Sequence, residues 1–147
     1  NTANALSYPD GNYVVITSDY LSAVFDTINS VRAGYGLTPL SQSTAYTTDA
    51  DIYAANEAAY SKFISENTNN SATIASCMSS RTSEKSICSS VSSMLSSRPG
   101  VLNASSMSVG IATNSSTGYA YVCIFFNWKH AKIKSAVQWT ALFILYF

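Results

Sequence analysis

The hydrophobic positions near the start of the chain recur at helical spacing. They are Leu21, Val24, Phe25, Ile28 and Val31. Ser18 and Asp19 precede this apolar stripe and are suitable N-caps, while Gly34 and Gly36 follow it as stop signals. The pattern therefore predicts a first helix over residues 19–33.

A second periodic stretch opens at Thr48, whose hydroxyl is expected to cap the first turn together with Asp51. The helix is predicted to run to Ser65. Its expected inner face consists of Ile52, Ala55, Ala59 and Phe63. Small alanine side chains on this face would let another element approach closely.

Serine makes up half of residues 76–97, a composition that is also typical of a flexible linker. The apolar residues Ile87, Val91, Met94 and Leu95 nevertheless keep helical spacing. Ser83 and Glu84 form a suitable start, and Pro99 a stop. We therefore predict a serine-rich third helix that ends before Arg98.

Strand patterns lie mainly in the later part of the chain. Tyr13–Ile16 is a short β-prone run, and residues 106–112 alternate apolar and small or polar side chains. Turn-forming residues 113–118 then lead into the apolar run 119–126, which predicts a hairpin. Helices followed by a C-terminal antiparallel hairpin predict an α+β fold.

Composition narrows the class of protein. The 147 residues suit one domain, and eight basic residues balance eight acidic ones, which makes a nucleic-acid partner improbable. Only 11% of residues are charged, so Ser, Thr and Asn must supply the polar surface, as is common in extracellular proteins. Asn69, Asn103 and Asn114 fit the N-glycosylation pattern. This surface favours a secreted protein, and because the start of the chain lacks a signal-peptide pattern we expect the chain to be already processed.

Three cysteines allow one disulfide with one thiol left over, and none has the Cys-x-x-Cys spacing of a zinc or redox site. We predict that Cys77 pairs with Cys88 across the short loop that leads into the third helix. Cys123 would then be free in the last strand.

Two separated blocks carry a family resemblance. Asn29 and Arg32 lie in an Asn-x-x-Arg helix that leads into Gly-Leu-Thr-Pro-Leu at 36–40, and residues 97–103 precede a closing hairpin. This order resembles the CAP superfamily, which comprises the cysteine-rich secretory, antigen 5 and pathogenesis-related 1 (SCP-like) extracellular proteins. The resemblance covers 18–126, which leaves 1–17 as an N-terminal extension and 127–147 as a tail.

The CAP resemblance implies a three-layer α-β-α sandwich, with two His and two Glu in a central cleft that holds a divalent metal in many members. Residues 67–78 contain no His, Val101 stands near the position of the second one, and His130 is the single histidine of the chain. A degenerate member without metal or cofactor is therefore expected.

Among the acidic residues Glu57, Glu66 and Glu84, Glu57 is the best candidate for a cleft carboxylate because it interrupts an alanine-rich helix. The alternative, which we favour at this point, is a solvated helix face, since a lone carboxylate has no partner with which to divide proton-transfer roles. Asn29 and Arg32 are expected to bond loop carbonyls and thereby fix the exit of the first helix.

The tail is basic at Lys129, Lys132 and Lys134 and then uncharged over 136–147, which is too short for a membrane-spanning helix. We expect it to cover the core, ahead of a non-native gene end or a membrane-interface segment.

The leading functional hypothesis is a secreted, non-catalytic CAP-like module that binds a protein partner or a small apolar ligand such as a lipid or sterol. A hydrolase or weak protease with an unrecognised carboxylate site and a structural surface protein are the alternatives.

Overall fold

The computed structural model describes residues 6–17, 19–64 and 72–127, and these form a mixed α+β fold. The helices are α1 (Asp19–Gly34), α2 (Thr47–Tyr60) and α3 (Glu84–Ser97). The strands are β1 (Tyr13–Ile16), β2 (Ser41–Gln42), β3 (Ala72–Ser79), β4 (Ser106–Asn114) and β5 (Ala120–Asn127). A 3-10 turn, Pro99–Leu102, follows α3.

The sheet has the strand order β1-β4-β5-β3, and these neighbours pair antiparallel. The two-residue β2 pairs with β4 in parallel. β1 belongs to the sheet although residues 1–17 were expected to be an extension, and β5 continues to the buried Asn127. β1 coincides with the predicted β-prone run Tyr13–Ile16, and the sheet extends beyond residues 18–126, to which the resemblance was assigned.

Alternate residues of the strands face two separate apolar clusters. On one face, Val109, Val122 and Ile124 pack with the apolar sides of α1 and α3. On the other, Ala112 and Phe125 pack with the alanines of α2. The period-two alternation of side chains explains why the almost uniformly buried β4 and β5 serve both clusters.

Helices α1 and α3 lie where the periodicity predicts them. In α3, Ile87, Val91 and Leu95 are buried, and the Ser83 hydroxyl accepts a hydrogen bond from the backbone N–H of Ser86. The serine-rich stretch is therefore a capped helix. Its apolar residues recur at helical spacing and so lie along one side of the helix, which faces the core.

Helix α2 differs from its prediction in its cap, its end and its buried face. Tyr46 occupies the N-cap position, its side chain does not cap the helix, and the helix stops at Tyr60. The buried alanines are Ala50, Ala54, Ala55 and Ala58, whereas Phe63 is 51% exposed. A Cβ on Gly110 of β4 would overlap the Ala50 carbonyl, so this close contact selects the alanine face.

Strand β3 has no counterpart in the sequence-based prediction. It pairs with β5 over its whole length, from Ala72 opposite Asn127 to Ser79 opposite Ala120. Its small and polar residues give little β-propensity. Pairing with the strongly apolar β5 therefore stabilises the β3 strand, which the local sequence alone does not favour.

Asn29 and Arg32 bond the connector that follows α1, as the sequence predicts. Asn29 Nδ2 donates to the Leu40 carbonyl at 3.2 Å, and Asn29 Oδ1 accepts from Leu40 N at 2.8 Å. Arg32 Nε donates to the Thr38 carbonyl at 2.8 Å, and Nη1 donates to the carbonyl of Leu102. Together these bonds tie α1 to both the connector and the 3-10 turn.

No helix within 6–17, 19–64 and 72–127 is long and apolar enough to cross a membrane. The predicted core-covering role of the tail falls on residues 128–147, which lie outside the described residues.

Candidate site around the buried carboxyl of Glu57

Glu57 lies in the last turn of α2 and is fully buried, with 0% of its surface exposed. The expectation of a solvated helix face is therefore wrong. The alanine face of α2 packs so closely on the sheet that the neighbouring position 57 is enclosed as well. A buried carboxyl group is rare without a compensating partner, so its surroundings define a candidate site.

Two hydrogen bonds reach the same oxygen of this carboxyl group. Ser76 Oγ donates to Glu57 Oε2 at 2.7 Å, and the backbone N–H of Ile64 donates to it at 3.3 Å. Glu57 Oε1 is buried and has no hydrogen-bond partner among the described residues. One acceptor of the site is therefore left for a further donor.

The reversal of the chain after α2 delivers the Ile64 contact. Ser61 adopts the left-handed conformation with φ 54°, and its N–H and that of Lys62 bond the carbonyls of Ala58 and Glu57. Such a C-cap turns the chain back over the end of the helix. The backbone N–H of Ile64 consequently reaches the carboxyl group.

Burial raises the pKa of Glu57 from 4.5 to about 7, although the hydrogen bonds from Ser76 and Ile64 act in the opposite direction. Loss of hydration thus outweighs two favourable contacts. Near neutral pH the group exists in both forms, so it can accept a hydrogen bond as a carboxylate or donate one as an acid.

Two buried thiols lie close to the site. Cys123 stands opposite Ser76 in the β3–β5 pairing. Cys77 follows Ser76 in the sequence and points to the other face of β3. Burial raises the pKa of Cys77 to about 12 and that of Cys123 well above its usual value, and the Glu57 charge contributes to both. Neither group is suited to act as a thiolate nucleophile near neutral pH.

The predicted disulfide between Cys77 and Cys88 is absent, and all three cysteines are free. Cys77 extends from β3 into the cluster shared with α1 and α3, while Cys88 lies on α3 and packs at the margin of that cluster. A disulfide requires a specific separation and direction of the two Cβ atoms, which proximity in sequence does not provide. Both thiols act here as apolar packing groups.

Apolar side chains flank the polar site. The Phe63 ring meets the Tyr121 ring edge-on, with centroids 6.0 Å apart, and Tyr121 stands opposite Met78 in the β3–β5 pairing. Alternation along β3 places Met78 on the same face as Ser76. Phe63 and Met78 are 51% and 37% exposed, so apolar surface reaches solvent beside a buried carboxyl group.

Of the other two candidate carboxylates, only Glu84 is described, and it does not bond the Glu57 site. Glu84 is exposed in the first turn of α3, and Glu66 and His130 lie outside the described residues. Within the described part of the chain, no three His, Cys, Asp or Glu side chains form a group that could hold a metal.

The three glycosylation candidates differ in access. Asn114 is 6% exposed, and its Nδ2, the atom that would carry a glycan, donates to the Ala58 carbonyl at 2.7 Å. Its Oδ1 caps the β4–β5 turn by accepting from the N–H groups of Ser116 and Thr117. The Asn114 amide is therefore buried and bonded in the folded domain, whereas Asn103 is exposed and Asn69 lies outside the described residues, and glycosylation at these positions stays a prediction.

In comparisons with known proteins, no family model and no curated protein matches this chain.

The sequence indicated Glu57 through its position among alanines, but it did not indicate Ser76, Phe63 or Met78. Ser76 lies next to Cys77, but nothing in the neighbouring sequence indicates that its hydroxyl bonds a carboxyl group 19 positions away.

Proposed function

We propose that this chain is a non-catalytic, CAP-like binding module that takes a small apolar ligand with a hydroxyl group, of the lipid or sterol class, at the Glu57 site. The observation that carries the proposal is the buried Glu57 Oε1, which lacks a partner among the described residues beside exposed apolar side chains. A protein partner is the other candidate within the same function.

The unpartnered oxygen favours a ligand that donates a hydrogen bond. A buried acceptor left without a partner costs about 1–3 kcal/mol. A ligand hydroxyl that reaches Glu57 Oε1 would remove this cost, and a bond to a carboxylate is stronger than one between neutral groups. The polar end of the ligand would therefore be directed toward α2.

The flanking surface favours an apolar ligand body. Phe63 and Met78 expose apolar area, and the nearly buried Tyr121 lies between them. Ligand sites usually combine such apolar walls with a few placed polar groups. Glu57 and Ser76 would supply these groups at one end of the site.

The CAP-like part of the proposal rests on particular contacts. Helices pack on both faces of the sheet, as expected of a three-layer α-β-α sandwich. Asn29 and Arg32 also anchor the Gly-Leu-Thr-Pro-Leu connector. On this proposal the domain is extracellular, and its ligand is bound without a metal.

Titration with a fluorescent sterol tests the binding site. At about pH 8, where Glu57 is mostly ionised, we expect the Glu57→Gln variant to bind the sterol about tenfold more weakly, because it loses a charge-assisted acceptor. Phe63→Ala should also weaken binding. Phe63 is half exposed, so this variant keeps the folded core.

Glu84→Gln is the matched control, because it removes an exposed carboxylate on α3, which packs on the other face of the sheet, and it should bind like the wild type. A sterol with its hydroxyl acetylated should bind the wild type weakly and show little difference between wild type and Glu57→Gln. Equal binding of both sterols by the wild type would contradict the proposed role of Glu57. If neither sterol binds, the protein-partner and structural alternatives take precedence.

One observation favours the hydrolase alternative: the Ser76 hydroxyl donates to a carboxyl group whose pKa is about 7. A carboxylate in that position can accept the hydroxyl proton when the serine oxygen attacks an ester. Hydrolysis of p-nitrophenyl acetate by the wild type, compared with Ser76→Ala, tests this activity. Equal rates for the two proteins are expected if the module is non-catalytic.

A further inference from the structure

The hydroxyl-rich side of α3 is not used by the core. Ile87, Val91 and Leu95 fill the buried side, whereas Lys85, Ser86, Ser89 and Ser90 lie toward the other side at helical spacing. A helix that needed only solubility would be expected to carry more charges here, as most solvated helix faces do. The serine enrichment therefore calls for a separate explanation.

This side of α3 and the end of β3 form an open groove of about 650 Å³. We call it the serine groove. Its lining residues are Met78, Ser79, Ser80, Arg81, Ser83, Lys85, Ser86, Ser89 and Ser90. Two cations and six hydroxyl groups thus line one depression, and none of the lining residues is acidic.

The cations of the serine groove have no ion-pair partner within the described part of the chain. Neither Arg81 nor Lys85 forms an ion pair with any residue in the described ranges. Glu84, the nearest acidic residue in sequence, does not line the groove. An Arg guanidinium and a Lys ammonium that share one groove repel each other, so an anion bound between them would relieve that repulsion.

The backbone around Arg81 is held in place. The nearly buried Ser79 hydroxyl donates to the Arg81 carbonyl at 2.7 Å and accepts from Arg81 N at 3.2 Å. The Ser83 and Ser86 hydroxyls bond each other at 2.9 Å, while the hydroxyls of Ser80, Ser89 and Ser90 form no hydrogen bond with the described residues. Three hydroxyl donors therefore remain available beside the two cations.

We propose that the serine groove binds a phosphate or sulfate group, with Arg81 and Lys85 as its cationic contacts. The guanidinium offers two parallel donors to two oxygens of such a group, and the ammonium and serine hydroxyls bond the remaining oxygens. The chain has a formal net charge of +0, so its overall charge does not attract anions. Attraction must come from this local arrangement.

Titration with inorganic phosphate, followed by the backbone amide signals of residues 79–90 in NMR spectra, tests the site. We expect saturable shifts in the wild type. In the double variant Arg81→Gln, Lys85→Gln, affinity should fall at least about tenfold, because each lost charge-assisted bond contributes more than the 1.4 kcal/mol that a tenfold change represents. Raising the salt concentration should weaken binding to the wild type.

The control variant Lys62→Gln, Arg98→Gln removes the same number of charges from exposed positions outside the groove and should bind like the wild type. Inorganic sulfate and octyl phosphate distinguish the sources of the anion. Tighter binding of octyl phosphate indicates a lipid headgroup, since Met78 offers an apolar contact, and equal binding indicates a free anion. No saturable shift with any of the three, or equal affinity of wild type and groove variant, would overturn the proposal.

Discussion

The two faces of the sheet are built differently. The face toward α1 and α3 is closed by branched and aromatic side chains such as Ile28, Leu95 and Phe126. The face toward α2 is closed by alanines and encloses a carboxyl group, and beside it Phe63 and Met78 reach solvent. One face resembles an ordinary domain core, and the other combines close backbone packing with polar groups.

This difference indicates that the two faces of the sheet contribute differently to stability and to the candidate site. Large apolar side chains stabilise a fold through the area that they remove from water, which is about 25 cal/mol per Å². Alanines contribute little area but allow α2 to lie close to β4 at Gly110. We therefore expect α1 and α3 to provide most of the stability, while the α2 face positions Glu57.

The largest expected effect is on the face toward α1 and α3. Replacing the fully buried Leu95 by Ala leaves a cavity and should lower the free energy of unfolding by about 2–5 kcal/mol. Urea denaturation measures this change. The matched variant Leu37→Ala, at a position 39% exposed, should cost much less, and equal losses would contradict the assignment of this face as the main core.

Close packing on the α2 face is tested at Gly110. A Cβ there would overlap the Ala50 carbonyl and lie 2.6 Å from Asp51 N, so Gly110→Ala should destabilise the protein by about 1–3 kcal/mol. Gly34→Ala is the control, because a Cβ at that position would meet no atom within 4 Å other than those of its chain neighbours and its own helix backbone. If both variants melt at the wild-type temperature, α2 is not held as closely to β4 as described.

The buried carboxyl group should make stability depend on pH. Because its pKa is raised to about 7, the native state binds a proton more tightly than the unfolded chain, so wild-type stability should fall as pH rises from about 4.5 to about 7. The full shift corresponds to about 3 kcal/mol. Glu57→Gln should recover about 1–2 kcal/mol at pH 8, less than the full amount because a buried amide also needs partners.

Melting temperatures of wild type and Glu57→Gln over this pH range measure the effect. The variant should show a flatter profile, and the exposed-site variant Glu84→Gln should keep the wild-type profile. A wild-type melting temperature that does not change between pH 4.5 and 7 would show that the Glu57 pKa is not raised.

The smallest expected effect concerns the cysteines. With all three free, addition of a reducing agent should leave the melting temperature unchanged. A disulfide between Cys77 and Cys88 would contribute about 2–4 kcal/mol, and its reduction would lower the melting temperature by several degrees. A cross-linked peptide containing both residues in a non-reduced digest would restore the disulfide prediction.

The sequence by itself determined the elements whose pattern is local. Helices α1 and α3 and the β4–β5 hairpin follow from apolar spacing with caps or turn residues next to it, as at Ser83 in α3. The bonds of Asn29 and Arg32 to the connector were predictable for the same reason, since their partners begin 6–11 residues away. The residues that determine these local structures lie in or next to the segments that adopt them.

The tertiary structure alone decided β3, the buried face of α2 and the site around Glu57. Ser76 forms a strand because β5 pairs with it, and α2 turns its alanines inward because Gly110 leaves room for the helix backbone. Glu57 is buried as a result, and the serine that bonds it, Ser76, lies 19 positions later in the sequence. Burial and pairing across such separations depend on which surfaces meet, and no spacing along the chain records that.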